Sequence, residues 1–399
     1  MNSFNRDYKY YKNVFIGQNM PFAFVDLDLL EENARQIVAR ARGKKIRVAS
    51  KSVRCKYLLE KILELDDSFQ GIMCFALPEA VYLSQQGFDD LLVAYPCMQE
   101  KYIEEVCMEV QKGKTILLMV DSTEHVERIN IIAAKCNVVL PVCMDMDMSS
   151  DFPGIHFGVW RSGITDKQQV MDLLSRVQES GNVKLDGIMG YEAQIAGVGD
   201  NYPCKSLKNA VVRFLKKRSI KEIRKRRKET VMAIRSEGVE LRFVNGGGTG
   251  SLESTTAEDV ITEVTVGSGF YASALFDNYS NFRHFPAAGF ALEIVRKPKP
   301  NIYTCHGGGY VASGSAGTDK LPQPYLPEGM KLTNNEGAGE VQTPLIYQGK
   351  EKLSLGDPVF LRHSKAGELC ERFDELLLVS QNKIIEKVKT YRGDGMCFL

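Results

Sequence analysis

A lysine at the end of an apolar segment is the first residue of this sequence that could act as a nucleophile. Lys51 closes the segment KIRVASK, residues 45–51. If this segment is a strand of a parallel sheet, Lys51 lies at its carboxyl end, where partial desolvation would make the amine more reactive. An amine in that position can condense with a carbonyl group. An ordinary surface lysine is the alternative interpretation.

Two glycine-rich segments predict a binding site for phosphate. Residues 245–251 (NGGGTGS) and 267–269 (GSG) each follow an apolar run. Because glycine has no Cβ atom, backbone N–H groups can approach phosphate oxygens there, and the hydroxyls of Thr249 and Ser268 can add donors. A phosphate site together with a reactive lysine is typical of a phosphorylated carbonyl cofactor. We therefore expect pyridoxal 5'-phosphate (PLP), condensed with Lys51.

Polar side chains also occur at the ends of two other apolar runs and in the loops that follow them. They are Asp145, Asp147, His156, Arg161, Tyr191, Glu192 and Gln194. Groups in such positions can line the mouth of a barrel and contact a ligand. The alternative is structural, with salt bridges for the first four residues and supporting hydrogen bonds for the last three.

The elements that must position these residues follow from an alternation of strand-length apolar runs with helix-length amphipathic segments. Eight strand candidates occupy residues 45–51, 71–77, 90–96, 115–121, 139–147, 185–193, 241–248 and 263–270. Eight strands that alternate with helices predict an α/β fold, a (β/α)₈ TIM-type barrel. The glycine-rich segments then follow the seventh and eighth strands, whose loops form the usual phosphate site of such barrels.

A change of pattern near residue 278 predicts a second domain. A ninth strand candidate, residues 22–28, precedes the first helix. Further strand candidates follow one another without helices at 290–295, 302–312, 339–347, 358–363, 375–380 and 383–391. We expect an N-terminal segment and strand over residues 1–28 that joins the β domain, a PLP-binding barrel over 29–277, and a C-terminal β-rich domain over 278–399.

The composition is that of an ordinary globular protein. The 51 Lys+Arg and 50 Asp+Glu residues leave a formal net charge of +1, which argues against nucleic acid or an anionic membrane as a partner. No apolar run approaches the ~20 residues of a membrane span, and the N-terminus lacks an apolar signal core, so we expect a cytoplasmic protein. The 10 cysteines include no C-x-x-C pair, which predicts reduced thiols. The basic segment 216–228 has apolar residues at helical spacing, and we interpret it as a barrel helix with a basic outer face.

The same segments resemble the PLP-dependent enzymes of the alanine racemase fold, and within them the D-threonine aldolase and D-serine dehydratase group. The resemblance rests on PFAFVDLDLLEENA, RVASKSVRC, GIMCFALPEAVYLSQQGFDDLLVAYP, GIHFGVWRSG and GIMGYEAQ, followed by the two glycine-rich segments. It implies that Lys51 is the Schiff-base lysine and that Arg161 lies beside the cofactor ring. The other cofactor-binding residues that we expect are Tyr191, Gln194, Asn245, Gly248, Thr249, Gly267 and Ser268.

The resemblance also implies a divalent metal, which this sequence supports only weakly. Members of the group carry a C-terminal His-x-Cys or His-x-Asp pair that binds Mn²⁺, Zn²⁺ or Mg²⁺ and polarises the substrate's β-hydroxyl. The comparable stretch here is HSK, residues 363–365, and a protonated lysine cannot be the second ligand. His363 is then the only member of the pair that remains as a candidate metal ligand. We favour a site without metal. Residues that could replace the missing ligand are Cys370, Glu368 and His306.

A second C-terminal feature resembles the basic amino acid decarboxylases of this fold. Cys370 and Asp374 match a Cys-x-x-x-Asp pattern that meets the substrate across a dimer interface in those enzymes. Their Glu-Pro-Gly-Arg phosphate turn is absent, and EVTVGS, residues 263–268, stands in its place. A buried apolar role is the alternative for Cys370.

Three functions remain open from the sequence. The first is a lyase that acts on a β-hydroxy D-amino acid, by retro-aldol cleavage or by loss of the hydroxyl. The second is a racemase or decarboxylase on the same scaffold, and the third is a non-catalytic PLP-binding protein. We favour a lyase that acts on a small amino acid as a homodimer, with the β domain of one subunit covering the other's site. The residues that we expect to be catalytic are Lys51, Arg161, Tyr191, His363, Cys370 and Asp374.

Overall fold

The computed structural model of the protein describes residues 6–315, 317–365 and 367–398. The strands are β1 (Phe22–Asp26), β2 (Lys45–Ala49), β3 (Phe69–Cys74), β4 (Leu91–Val93), β5 (Ile116–Val120), β6 (Leu140–Asp145), β7 (Ser150–Phe152), β8 (Ile155–Phe157), β9 (Val183–Gly190), β10 (Phe243–Gly246), β11 (Glu263–Val266), β12 (Ala288–Lys299), β13 (Ile302–His306), β14 (Gln323–Leu326), β15 (Met330–Leu332), β16 (Gln342–Tyr347), β17 (Pro358–Arg362), β18 (Glu375–Ser380) and β19 (Lys383–Lys389). The α-helices are α1 (Tyr8–Val14), α2 (Leu27–Ala41), α3 (Lys56–Glu64), α4 (Leu77–Gln85), α5 (Glu100–Gln111), α6 (Thr123–Lys135), α7 (Lys167–Glu179), α8 (Ala193–Ala196), α9 (Ser206–Ser236), α10 (Leu252–Thr256) and α11 (Ser268–Tyr271).

The chain divides into two compact units, and each is built from separated stretches of sequence. The barrel unit comprises the described residues of Ile37–Lys51, Lys61–Gly267 and Phe398–Leu399. The sheet unit comprises those of Met1–Gln36, Ser52–Glu60 and Ser268–Cys397.

Eight parallel strands close the barrel unit in the order β10-β11-β2-β3-β4-β5-β6-β9. These are the eight strands predicted from the sequence, so the (β/α)₈ barrel is confirmed. Side chains from five of the strands meet in one buried apolar cluster, which consists of Leu92, Leu117, Met119, Cys143, Met189 and Phe243. The barrel interior is therefore a packed core, and ligand chemistry is left to the ends of the strands.

A charged layer lies in the same interior. Arg47 of β2 is fully buried, and its Nε donates to Glu263 Oε1 at 2.7 Å while its Nη1 donates to the Asp90 carbonyl at 2.7 Å. Asn245 Nδ2 donates to the same Glu263 oxygen at 2.8 Å. Gly71 has a φ of +63°, and a Cβ there would lie 2.4 Å from Arg47 Nη1, so only glycine leaves room for the guanidinium. This network ties β2, β10 and β11 together.

In the sheet unit, β1 lies inside a nine-stranded sheet. It pairs antiparallel with β12, where Ala23 is opposite Phe290, and parallel with β18, where Phe24 is opposite Leu377. The strand order is β15-β16-β13-β12-β1-β18-β19, with β17 attached to β12 and β14 attached to β17. The ninth strand predicted from the sequence thus joins the C-terminal β strands.

Several predicted boundaries were wrong. The predicted strand 302–312 ends at His306, because Gly307 and Gly308 have φ values of +80° and +112°. The predicted strand 263–270 ends at Val266, and a short helix follows. Strands β7, β8, β14 and β15 were not predicted, since runs of three or four residues are too short to show an alternating pattern.

The basic segment lies in α9, as predicted, but basic residues also occupy the buried face of this helix. Lys216 and Arg227 are buried, and Lys216 Nζ lies 3.2 Å from Asp200 Oδ2. Arg226 Nη1 donates to the Asp147 carbonyl at 2.9 Å. The outer face of this helix is basic, as predicted, and buried acceptors bind the basic residues on its inner face. Among the described residues, no helix has the length and apolar character needed to cross a membrane.

Candidate functional site

Lys51 lies directly after β2, in one turn of 3₁₀ helix, Ser50–Ser52. The barrel strands are parallel, so their carboxyl ends share one end of the barrel, and Lys51 belongs to that end. Lys51 is an exposed residue at this end of the barrel.

Arg161 is held at the same end of the barrel by contacts with three other segments. Its Nε donates to Asp145 Oδ2 at 2.6 Å, and its Nη2 donates to the Ala94 carbonyl at 2.7 Å. Its guanidinium carbon lies 4.7 Å from the ring centroid of Tyr95 and 5.8 Å from that of Tyr191. The structure thus brings together two residues predicted for the site, a fixed cation and an aromatic ring.

Burial sets the charges of this group. Burial raises the pKa of Asp145 to about 6, although Arg161 opposes the shift, and Asp145 Oδ1 has no hydrogen-bond partner among the described residues. Burial disfavours the charge of Arg161, but Asp145 holds the pKa of this arginine above its ordinary value. Burial and the neighbouring Glu192 raise the pKa of Tyr191 to about 12. At neutral pH the group therefore contains a cation, its carboxylate partner and a neutral phenol.

The ring of Tyr191 packs against residues 247–251, which follow β10 and which we call the glycine turn. A Cβ atom at Gly248 would lie 2.9 Å from Ala196 Cβ and 3.3 Å from Tyr191 Cε2. Gly247 has a φ of +81°, a conformation that favours glycine. The turn thus requires glycine at one position for its backbone conformation and at the next for space.

The polar groups of the glycine turn are already bonded in part within the protein. The Gly248 N–H donates to Ser251 Oγ at 3.1 Å. The Thr249 carbonyl accepts a bond from Arg40 Nη2 at 2.7 Å. The Gly248 N–H thus has an internal acceptor, and the absence of a Cβ at Gly248 allows the turn to pack closely against Ala196 and Tyr191.

A buried carboxylate anchors this turn. Glu192, 2% exposed, accepts hydrogen bonds from the Gly247 N–H at 3.1 Å and from Ser251 Oγ at 2.9 Å. It also accepts a bond from Thr255 Oγ1, and Arg227 Nη2 of α9 donates to it at 2.9 Å. Glu192 thus has the supporting role given as its alternative in the sequence, whereas Arg227 could not be singled out there because it is one of many basic residues in its segment.

Gln194 and Asn245, both predicted to bind the cofactor, make hydrogen bonds inside the barrel unit. Gln194 Nε2 donates to the Met148 carbonyl at 2.5 Å and to Ser219 Oγ of α9 at 2.9 Å. Asn245 belongs to the charged layer described above. Both side chains are buried, and these bonds hold neighbouring segments in place.

The second glycine-rich segment spans the boundary between the two units. Gly267 is buried directly after β11, and it is the last residue of this stretch of the barrel unit. Ser268 begins α11 in the sheet unit, where its hydroxyl lies 3.3 Å from Ser52 Oγ.

His363 lies directly after β17 in the sheet unit and is buried. Neither of its ring nitrogens has a hydrogen-bond partner in the described part of the chain, and burial lowers the pKa of this histidine to about 3, so the ring is neutral. Lys365 Nζ lies 3.4 Å from Ser313 Oγ. The described residues contain no group of three His, Cys, Asp or Glu side chains arranged to hold a metal ion. A neutral histidine can bind a metal, but the donor set around His363 does not fit a divalent cation.

Cys370 and Asp374 lie in different environments within the sheet unit. Cys370 is 1% exposed, its Sγ donates to the Val53 carbonyl at 3.4 Å, and burial raises the pKa of its thiol. The side chain of Asp374 is 73% exposed, and its Oδ1 lies 3.7 Å from Arg392 Nε. Cys370 thus lies in the buried environment that its alternative interpretation, a buried apolar role, requires. Asp374 lies at the surface of the sheet unit.

Known proteins that are similar to this chain in sequence or in structure include aldolases and a dehydratase of D-amino acids. A 3-hydroxy-D-aspartate aldolase of Paracoccus denitrificans (strain Pd 1222) is 24% identical over 255 residues, 64% of this chain and 60% of that protein. The crystal structure of a D-threonine aldolase from Filomicrobium marinum matches with a TM-score of 0.80 and 17% identity, over 95% of this chain and 96% of that one. A D-threo-3-hydroxyaspartate dehydratase from Delftia sp. HT23 matches with a TM-score of 0.76 and 17% identity, over 96% and 99%.

The sequence match to the Paracoccus protein thus spans less than two thirds of its length, and the two structural matches establish the fold. The family described as alanine racemase, N-terminal domain, matches residues 25–274. This stretch is more than half of the 399 residues and contains the whole barrel with Lys51, Arg161, Tyr191 and the glycine turn. The chain belongs to the alanine racemase N-terminal domain family.

Proposed function

We propose that this protein is a PLP-dependent lyase that acts on a β-hydroxy D-amino acid. One observation carries the proposal: Lys51, the Arg161–Tyr191 pair and the glycine turn all lie at the carboxyl-terminal end of a single barrel. An amine at a strand end, a fixed cation beside an aromatic ring, and a glycine-rich turn are groups that PLP needs. The names of the related proteins support retro-aldol cleavage or dehydration as the reaction.

The residues of the barrel unit fit PLP. The absence of a Cβ at Gly248 lets the backbone of the turn lie close to Tyr191, so a phosphate bound by this turn would lie beside that ring. Lys51 would hold the cofactor through its amine, and Arg161 and Tyr191 would flank the ring. The remaining residues that would support the cofactor site are Gln194, Asn245, Thr249, Gly267 and Ser268.

PLP supplies an electron sink for the bonds at the substrate Cα atom. The chain's own residues set the polarity around that position. Arg161 stays charged because its Nε–H donates a hydrogen bond to Asp145 Oδ2 at 2.6 Å in a buried ion pair. Tyr191 stays a neutral phenol at physiological pH, since its pKa is about 12, and its hydroxyl can donate a hydrogen bond to an anionic ligand.

We propose that the reaction does not depend on a divalent metal, because the described part of the chain has no group of three metal-binding side chains around His363. We also propose that the protein is a cytoplasmic homodimer that binds neither nucleic acid nor membrane. The charge balance of the sequence supports the absence of a nucleic acid partner.

A product assay of the purified protein with PLP tests the function. Retro-aldol cleavage yields glycine with acetaldehyde from D-threonine, or glycine with glyoxylate from D-3-hydroxyaspartate. Dehydration yields a 2-oxo acid and ammonia from D-serine or D-3-hydroxyaspartate. We expect one of these product pairs, at equal rates with EDTA or with added Mn²⁺ or Zn²⁺, and none from Lys51→Ala. Racemised amino acid or CO₂ as the only product would replace the lyase by a racemase or decarboxylase. A PLP-loaded protein without any turnover would support the non-catalytic alternative.

A further inference from the structure

Glu192 connects the glycine turn to the basic helix α9. On one side, the Gly247 N–H and Ser251 Oγ donate to its two carboxylate oxygens at 3.1 and 2.9 Å. On the other side, Arg227 Nη2 donates to Oε2 at 2.9 Å. Ser251 Oγ in turn accepts the Gly248 N–H at 3.1 Å, so the carboxylate fixes two successive residues of the turn, one directly and one through a hydroxyl.

A buried carboxylate beside a turn that binds phosphate would repel the ligand unless its charge were compensated. Arg227 provides the compensation. It is 1% exposed, and although burial opposes its charge, Glu192 and Glu258 hold the pKa of this arginine above its ordinary value. Its Nη1 donates to Glu258 Oε1 at 2.5 Å and its Nη2 to the Gly190 carbonyl at 2.6 Å. The arginine therefore joins the end of β9 to the base of the turn.

We propose that Glu192 is a positioning residue that holds the glycine turn in the conformation that receives the phosphate of PLP. Arg227 compensates the negative charge of Glu192. This inference rests on the proposed function, because it assigns a role within the same site. The left-handed φ of +81° at Gly247 is one of many conformations open to a glycine in an unrestrained loop. Because the Glu192 carboxylate accepts a hydrogen bond from the Gly247 N–H, it selects this backbone conformation before the ligand binds.

The matched pair Glu192→Gln and Glu258→Gln tests this role. Both carboxylates are buried and bond the same arginine, but among the described residues only Glu192 also bonds the glycine turn. The dissociation constants of PLP and of pyridoxal, which lacks the phosphate, are measured for both variants and for the wild-type protein. In Glu192→Gln the affinity for PLP should fall about tenfold, since a hydrogen bond to a charged group contributes on that order. The affinity for pyridoxal should stay within about twofold, and Glu258→Gln should keep the wild-type ratio of the two constants.

An equal loss of affinity for PLP and pyridoxal in Glu192→Gln would overturn the inference, because it would indicate a general structural effect. Wild-type affinity for PLP in this variant would overturn it as well. If Glu192→Gln does not fold, Thr255→Val removes one donor to Glu192 at nearly constant volume and should show a smaller change of the same ratio; an unchanged ratio would contradict the inference. A wild-type protein that binds neither ligand would instead refute the proposed function.

Discussion

At Gly248, the absence of a Cβ atom allows the glycine turn to pack closely against Ala196 and the Tyr191 ring. Gly248→Val would place methyl groups beyond a Cβ that already lies 2.9 Å from Ala196 Cβ. Overpacking of this kind costs about 1–3 kcal/mol of stability unless the backbone shifts. We expect the turn to shift, and the dissociation constant for PLP to rise roughly tenfold as a result. Equilibrium titration with PLP, followed by absorbance, measures the change.

Gly181→Val is the matched control for this substitution. A Cβ at Gly181 meets no atom within 4 Å, and the variant should bind PLP like the wild-type protein. Thermal unfolding of both apoproteins separates loss of fold from loss of affinity. Normal PLP affinity in a folded Gly248→Val variant would show that the turn does not receive the cofactor.

Asp145 gives the folded protein a specific dependence on pH. Its pKa is about 6 in the folded protein, because of burial, and its ordinary value is 3.8. The folded state therefore keeps the proton while the unfolded chain loses it, so this group lowers the free energy of unfolding as pH rises from about 4 to 6. The two pKa units correspond to about 3 kcal/mol. In Asp145→Asn this decrease in the free energy of unfolding between about pH 4 and pH 6 should be absent. Urea unfolding at several pH values measures the difference. Parallel curves for the two proteins would contradict the assignment.

Single residues of the site differed in how far the sequence could reveal them. The positions of Lys51 and of the glycine turn after barrel strands could be predicted, because each follows an apolar run. The hydrogen bonds of Glu192 could not be predicted, because its partners Gly247 and Arg227 lie far away in the sequence. Hydrogen bonds between distant segments have no spacing signal in the sequence.

At the level of elements, α9 contains neighbouring basic residues with opposite environments. Arg227 is buried between two carboxylates, and Lys228 is exposed. Arg227→Ala leaves these carboxylates without their counter-charge and should cost about 3–5 kcal/mol of unfolding free energy. Lys228→Ala should change it by less than about 0.5 kcal/mol. Chemical denaturation measures both values, and similar losses in the two variants would refute the buried role of Arg227.

The strands of the barrel were predictable because each one repeats the same apolar run before an amphipathic helix. The charged layer inside the barrel was not predictable, because Arg47 is a single charged residue within the apolar run of β2. Its charge is satisfied by Glu263 on the neighbouring strand β11, a pairing that only the closed barrel creates. The short strands β14 and β15 were missed for a different reason, because they contain too few residues for a pattern.

At the scale of the whole molecule, we predict a homodimer in which the sheet unit of one chain completes the site of the other. The inactive variants Lys51→Ala and Asp374→Ala should then recover activity after they are mixed and exchange subunits. Random exchange in a two-fold dimer restores about a quarter of the wild-type activity, because half of the dimers are mixed and each has one intact site. Product assay after exchange, checked by native mass spectrometry, measures the recovery. Mixed dimers without activity, or a fully active monomer, would refute the shared site.

The most direct test of the account is to locate PLP on the chain. The purified protein is incubated with PLP, reduced with borohydride, digested, and its labelled peptide is identified by mass spectrometry. We predict a visible absorbance band before reduction and a single phosphopyridoxyl label on Lys51, which is lost in Lys51→Ala. A stoichiometric label on another lysine, or no label at all, would contradict the assignment of this barrel as a PLP site.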